Sequence, residues 1–272
     1  WTEVAPGADA DAVLVNTCTV TGTGDQKSHK LIRRIAREHP QARIVVSGCL
    51  AQREAENVLQ MDNVQLVLGT QRRAEVVELL ERALIEGKLN AVSALAGAAF
   101  EPLSVARHEG HARATMKIQE GCDRNCAYCI IPSVRGPVRS MPLEAVKGEA
   151  KRLSEAGYLE IVLTGIHLAS YGRGTEHGLL DAIEAVAKFA PRVRLGSLEP
   201  PIVTDEFAER IAALPEVMPQ FHLSLQSGSA GVLSRMRRRY AKEEYTRSVG
   251  RLRRALPGCA ITTDILTGFP GE

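Results

Sequence analysis

"EGCDRNCAYCIIP", Glu120 to Pro132, is the stretch from which the rest of the chain can be read. It sets Cys122, Cys126 and Cys129 within a few residues of one another, in a chain of 272 residues with six cysteines in all. A disulfide needs two thiols, and a closed structural zinc site needs four ligands. Iron–sulfur cubanes are normally held by four cysteine thiolates. With three and then two residues between them, these cysteines let one loop wrap three corners of a cubane. The fourth iron is left open, and an open position separates catalytic from structural metal sites. Zinc is the alternative reading. It would need a fourth ligand from elsewhere, and the loop lacks the paired C-x₂-C knuckles usual for zinc modules.

Outward from this loop the pattern is β/α. "TMKIQ" reads as a strand feeding the cysteines, and "PLEAVKGEAKRLSEAG" as a helix with Pro142 in its first turn and Gly157 beyond its end. Strand "EIVLTG", helix "LLDAIEAVAKFA", strand "VRLGSLEP", helix "TDEFAERIAALP", strand "FHLSLQSGS", two helical segments and strand "AITTDILTGFPG" follow. Five such strands suit a partial (β/α) barrel, whose chemistry sits at the C-terminal strand ends.

Toward the N-terminus, "AVLVNTC", "ARIVVSGC" and "VQLVLGT" read as buried strands alternating with amphipathic helices. That pattern predicts an α/β fold that opens with a doubly wound, flavodoxin-like parallel-sheet domain. The expected organisation is an N-terminal domain over 1–92, a linker over 93–113 and the barrel over 114–272. Within the linker, His108 and His111 are weak candidates for metal ligands and are read as solvated. Cys18 and Cys49 each follow a strand, which places both on the sheet edge where open α/β domains bind ligands. Taken singly, each reads as a buried structural cysteine.

Bulk properties exclude little. Hydrophobic residues at 44% and charged residues at 24% fit a globular protein with a core, and the net charge of +2 offers no bulk case for nucleic acid. Basic clusters in 27–37 and 234–254 read as solvated helix faces. The apolar run "AVSALAGAAF" is too short to span a bilayer, so no membrane partner is expected. Unpaired cysteine spacing predicts a reducing, cytoplasmic setting. The chain starts without methionine and stops just after a strand, which reads as a piece of a longer protein. "GTGDQKS" is not a phosphate loop, because Gln26 stands where glycine is required. A cobalamin domain would suit the architecture, but its D-x-H-x-x-G signature is absent from the sequence.

C-x₃-C-x₂-C with Tyr128 before the last cysteine resembles the radical S-adenosylmethionine enzymes. The resemblance implies a [4Fe–4S] cluster on Cys122, Cys126 and Cys129, and S-adenosylmethionine chelated at the open iron. It also implies a cofactor face formed by Tyr128, Gly165 in "LTGIHL", Ser197 and Glu199 in "GSLEP", and Gln226 in "SLQSGS". "NTCTVT", "SGCLAQRE" and "GCDRNCAYCIIPSVRGPVRS", in this order, are similar to the methylthiotransferases of that group. That likeness implies a second, auxiliary [4Fe–4S] cluster on Cys18, Cys49 and a cysteine upstream of this chain.

Within the family, "RGPVRS", "VLTGIHLASYG", "FHLSLQSGS" and "RMRRRY" look most like the branch acting on threonylcarbamoyladenosine beside the tRNA anticodon. The implied reaction replaces C2–H of the base by S–CH₃. One cofactor molecule supplies the methyl group and a second supplies the radical. The tRNA anticodon loop would be the partner, with a sulfur source and an electron donor left unidentified. Arg135 and Arg139 are candidate phosphate or base contacts. Methylthiolation of isopentenyladenosine or of a ribosomal protein are the alternatives within the family. A non-catalytic metal-cluster RNA-binding protein is the alternative outside it.

Overall fold

In the computed structural model, which describes residues 1–5, 8–104 and 112–272, the chain divides into two compact units. Trp1–Glu101 and Cys129–Gly136 form the first; Pro102–Tyr128 and Pro137–Glu272 form the second. The histidines His108 and His111 lie outside the described residues.

The first unit is built on β1 (Ala12–Thr17), β2 (Arg43–Gly48), β3 (Val64–Val67) and the short β4 (Leu89–Asn90), parallel and adjacent in that order. Helices α1 (Gly22–Glu38), α2 (Cys49–Leu59) and α3 (Val76–Glu86) connect them. Alternation along β2 explains why both faces are covered. Ile44 and Val46 pack with Ile32 of α1 and Leu50 and Val58 of α2, while Val45 packs with Leu79, Leu80 and Ala83 of α3. Thr21 caps α1, its hydroxyl accepting from Gly24 N at 3.0 Å. A short helix, α4 (Ile131–Arg135), also belongs to this unit, and Thr70 Oγ1 donates to its Val134 carbonyl at 3.0 Å.

Between β2 and α2 the backbone turns at Gly48, with φ at +100°. A Cβ there would stand 2.3 Å from the Thr17 carbonyl oxygen and 2.8 Å from Asn16 Oδ1. Gly48→Ala is therefore expected to destabilise the protein by about 3 kcal/mol, from positive-φ strain together with overpacking. Denaturant titration of the two proteins reads this directly. A cost below about 1 kcal/mol would mean that the turn relaxes freely.

The second unit carries the barrel series. Strands β5 (Ala114–Glu120), β7 (Glu160–Gly165) and β8 (Arg192–Leu195) are parallel neighbours, and β6 (Arg139–Ser140) pairs antiparallel on the outer side of β5. Strand β9 (Gln220–His222) pairs in parallel with β10 (Ala260–Thr262). The two sheets are joined through Leu198, whose N–H donates to the His222 carbonyl at 2.9 Å and whose carbonyl accepts from Ser224 N at 3.0 Å. The five strands expected from sequence thus follow one another in space as in sequence, which defines a partial barrel. β10 is only three residues long, shorter than the stretch 260–271 that suggested it, and pairing resumes beyond it at the bridge between Gln226 and Ile265.

Helices α5 (Leu143–Glu155), α6 (Leu179–Ala187), α7 (Asp205–Ala212), α8 (Ala230–Arg235) and α9 (Lys242–Ala255) complete the unit. In α5 the buried Val146, Ala150 and Leu153 recur at the helical period. Beyond its end, Gly157 takes a φ of +89° and turns the chain toward β7. Phe207, Phe221, Ile118, Ile161 and Leu163 are among the largest fully buried side chains. Among the described residues no helix is long and apolar enough to cross a membrane.

Candidate functional site

The cysteine loop leaves β5 at its C-terminal end, where a (β/α) barrel places its chemistry. Its start is fixed by Gln119, a side chain the sequence reading missed. Gln119 is fully buried, and its amide nitrogen donates to the carbonyls of Glu120 (2.8 Å) and Gly121 (2.7 Å). Its Oε1 accepts from His167 N at 2.7 Å, tying the loop to the chain beyond β7. Gly165 ends β7 directly opposite: a Cβ there would lie 2.8 Å from both Gln119 Cβ and Gln119 Oε1. The expected functional glycine is thus required by packing.

Farther along the loop, charged groups anchor it. Asp123 is ion-paired with Arg173. Arg124 Nε reaches Glu199 Oε2 at 3.1 Å, and Arg124 N stands 3.4 Å from Cys122 Sγ. Ala127 N donates to the Met236 carbonyl at 3.1 Å. Arg238 approaches Cys126 Sγ through Nη1 at 3.2 Å and Glu199 Oε1 through Nη2 at 3.1 Å. Tyr128 meets Phe269 edge to face, with ring centroids 6.3 Å apart.

Glu199 is the hub of this network. Only 6% exposed, it holds Arg124, Arg238 and His167, whose Nε2 lies 2.9 Å from Glu199 Oε2. Burial pushes its pKa upward. The close approach of His167, with the charges of Arg238 and Arg124, more than reverses that and brings it down to about 2. Arg124, His167 and Arg238 were not singled out as site residues. Arg238 lies in "RMRRRY", and only its meeting with a buried carboxylate distinguishes it from its neighbours. The other expected positions stand at strand ends too. Ser197 is exposed after β8, and Gln226, after β9, holds a φ of +66° while its N–H and carbonyl bond Asp264 and Leu266.

Cysteines 122 and 126 lie in the second unit, whereas Cys129 opens the segment that packs with the first. Among the described residues no three His, Cys, Asp or Glu side chains gather closely enough for a single metal ion. A cubane asks for something different, one thiolate on each of several irons, with hydrogen-bond donors to the sulfurs. The amide at Cys122 and the guanidinium at Cys126 are donors of that kind, so these thiols fit such a cluster.

In the first unit, Thr17 is in register with Gly48, so Cys18 and Cys49 emerge side by side at one sheet edge, as expected. Cys18 is exposed and Cys49 buried. Nearby, Arg53 links Thr19 (2.6 Å) to Asp25 in the first turn of α1 (2.9 Å). Of the arginines expected to meet RNA, Arg139 is only 6% exposed and bonds the Pro137 carbonyl at 3.3 Å. Arg135, at the end of α4, directs Nε at Cys49 Sγ, 3.0 Å away.

The family model described as the radical SAM superfamily matches residues 116–272, and that described as Uncharacterized protein family UPF0004 matches residues 1–69. The first match covers more than half of the chain: this protein belongs to the radical SAM superfamily. Membership implies a [4Fe–4S] cluster and S-adenosylmethionine. Several relatives carry the name threonylcarbamoyladenosine tRNA methylthiotransferase MtaB. The Bacillus subtilis protein is 40% identical over 97% of this chain and 60% of its own length, and the Thermotoga maritima protein 35% identical over 99% and 62%. A Parafrankia protein named tRNA-2-methylthio-N(6)-dimethylallyladenosine synthase is 39% identical over 98% of this chain and 56% of its own length. The chain thus spans about 60% of the length of the curated relatives it matches. Among solved structures, the radical S-adenosylmethionine methyltransferase TsrM from Kitasatospora setae superposes with a TM-score of 0.70 at 18% identity, over 98% of this chain and 58% of its own. The cobalamin-dependent radical enzyme OxsB gives 0.62 at 13% identity, over 95% and 41%. These two likenesses are of fold.

Proposed function

We propose that the protein is a tRNA methylthiotransferase that replaces C2–H of threonylcarbamoyladenosine beside the anticodon with a methylthio group. The observation that carries the reading is the 40% identity, across 97% of the chain, to a relative bearing that name. The cysteine loop anchored at a barrel rim, with a second cysteine pair at a sheet edge, supports it. In this reading Cys122, Cys126 and Cys129 hold the radical cluster, and Cys18 and Cys49 hold an auxiliary one with a further cysteine.

When bound, the clusters and S-adenosylmethionine supply the radical and sulfur chemistry. The chain's own residues position it. Gln119 sets where the loop begins, and Glu199 holds Arg124 and Arg238 so that their N–H groups face the Cys122 and Cys126 sulfurs. Ser197, Gln226 and Tyr128, with the space left by Gly165, would face the cofactor. A splayed anticodon-loop base is the type of RNA target that proteins stack and read by its edges. Arg139, being buried, would shape the rim rather than grip phosphate.

The dimethylallyladenosine branch is the second reading, favoured by the 39% identity of the Parafrankia relative. One experiment separates the two. A host lacking its own methylthiolation is given either the full-length gene or its Cys126→Ala version, and bulk tRNA nucleosides are analysed by mass. The methylthio form of threonylcarbamoyladenosine is expected with the intact gene, and a loss of at least 100-fold with Cys126→Ala. Methylthiolation of isopentenyladenosine instead would transfer the assignment to the other branch. Neither product, from a protein that carries its clusters, would end the tRNA reading.

A further inference from the structure

Arg135, a candidate RNA contact from sequence, is half-buried, and its Nε reaches a buried sulfur. Cys49, the first residue of α2, is 1% exposed, and Arg135 Nε lies 3.0 Å from its sulfur. The contact is built rather than incidental. Gly136 follows with φ at +68° and ends α4, and Thr70 pins the same helix through the Val134 carbonyl in a buried hydrogen bond. The helix that presents Arg135 begins two residues after Cys129, the last cysteine of the candidate radical loop, and packs in the same unit as Cys49. A buried thiolate needs a compensating charge or donor, and a guanidinium supplies both in a fixed orientation.

We propose that Arg135 is a positioning residue for the auxiliary cluster: its Nε–H bonds the Cys49 sulfur, orienting it and stabilising the charge it carries as a ligand. This rests on the reading that Cys18 and Cys49 hold a cluster. Hydrogen bonds to ligand sulfur and local positive charge raise a cluster's reduction potential, because both favour the added electron. Arg135 thereby couples the chain just beyond the radical loop to the electronic state of the auxiliary site.

The test uses the full-length protein with Cys122, Cys126 and Cys129 all changed to alanine, so that only the auxiliary cluster contributes. It is reconstituted anaerobically with iron and sulfide. Iron per chain, the midpoint potential by EPR-monitored titration and the melting temperature are then compared among this parent, Arg135→Met and Arg135→Lys. Arg135→Met is expected to shift the potential to more negative values, or to lose iron at an unchanged melting temperature. Arg135→Lys, which keeps the charge but not the Nε donor, should fall between. Affinity for tRNA and its salt dependence should stay as in the parent. A potential and iron content that do not move would overturn the proposal, as would a weaker, less salt-dependent tRNA affinity with the cluster unaltered, which marks a phosphate contact. A parent that assembles no cluster would instead defeat the reading on which the proposal rests.

Discussion

Replacing Glu199 by alanine is expected to cost about 3–5 kcal/mol, because it leaves Arg124, Arg238 and His167 facing one another without their shared carboxylate. The guanidinium of Arg238 is almost as buried as Glu199, so water cannot compensate it. The effect should reach the cysteine loop, since Arg124 is part of it and Arg238 also holds Cys126 Sγ. Loss of cluster retention together with stability is the expected pattern. Denaturant titration and iron analysis of Glu199→Ala and Glu199→Gln check it, and retention of full iron by both would contradict the anchoring role.

The same residue sets an acid dependence. Its pKa falls from an ordinary 4.5 to about 2 in the folded protein, so between those values the unfolded chain binds more protons than the folded one. The stabilisation is complete above pH 4.5 and is lost as pH falls toward 2. A shift of this size corresponds to about 3 kcal/mol. Stability measured from pH 6 to pH 2.5 should fall more steeply in the parent than in Glu199→Gln, by roughly that amount. Parallel curves would show that Glu199 is not held in this way.

The second large effect is expected at Gln119. Truncation to alanine removes three hydrogen bonds from a fully buried side chain, those to the carbonyls of Glu120 and Gly121 and the one from His167 N. At about 1–3 kcal/mol for each buried group left unpaired, a loss of about 4 kcal/mol is reasonable. Gln119→Glu discriminates shape from hydrogen bonding. It keeps the acceptor for His167 but, ionised, turns a carboxylate oxygen toward two carbonyl oxygens. Both variants should displace the start of the cysteine loop. An error of about 1 Å in a reacting group costs on the order of 100-fold in rate, so under the proposed function S-adenosylmethionine cleavage should fall at least that far. Cleavage within threefold of the parent in a folded Gln119→Ala protein would show that the loop holds its place without this side chain.

Much of the architecture was legible because local patterns report it. Short β-branched runs alternating with helices announced both parallel series, and the spacing in "GCDRNCAYC" announced an incomplete thiolate set. That Cys18 and Cys49 share an edge followed from each standing just after a strand, and the register Thr17↔Gly48 has that consequence. Short strands such as β4 and β6 escaped because two residues carry no periodicity. The last strand is shorter as a continuous ladder than its sequence suggests: pairing lapses after Thr262 and resumes at the bridge between Gln226 and Ile265, a break that residue pattern does not mark.

What the sequence by itself determined was therefore the order of elements, the edge on which the cysteines fall and the chemistry their spacing favours. Only the tertiary structure decided which charge meets which. Arg124 finds Glu199 across 75 residues, Arg135 finds Cys49 across 86, and Arg238 finds Cys126 across 112. Periodicity is a local signal of burial, and a glutamate or arginine reads the same whether it ends in solvent or in a buried network. The crossovers that bring strand ends together select the partners, and desolvation at the rim then makes those pairings strong.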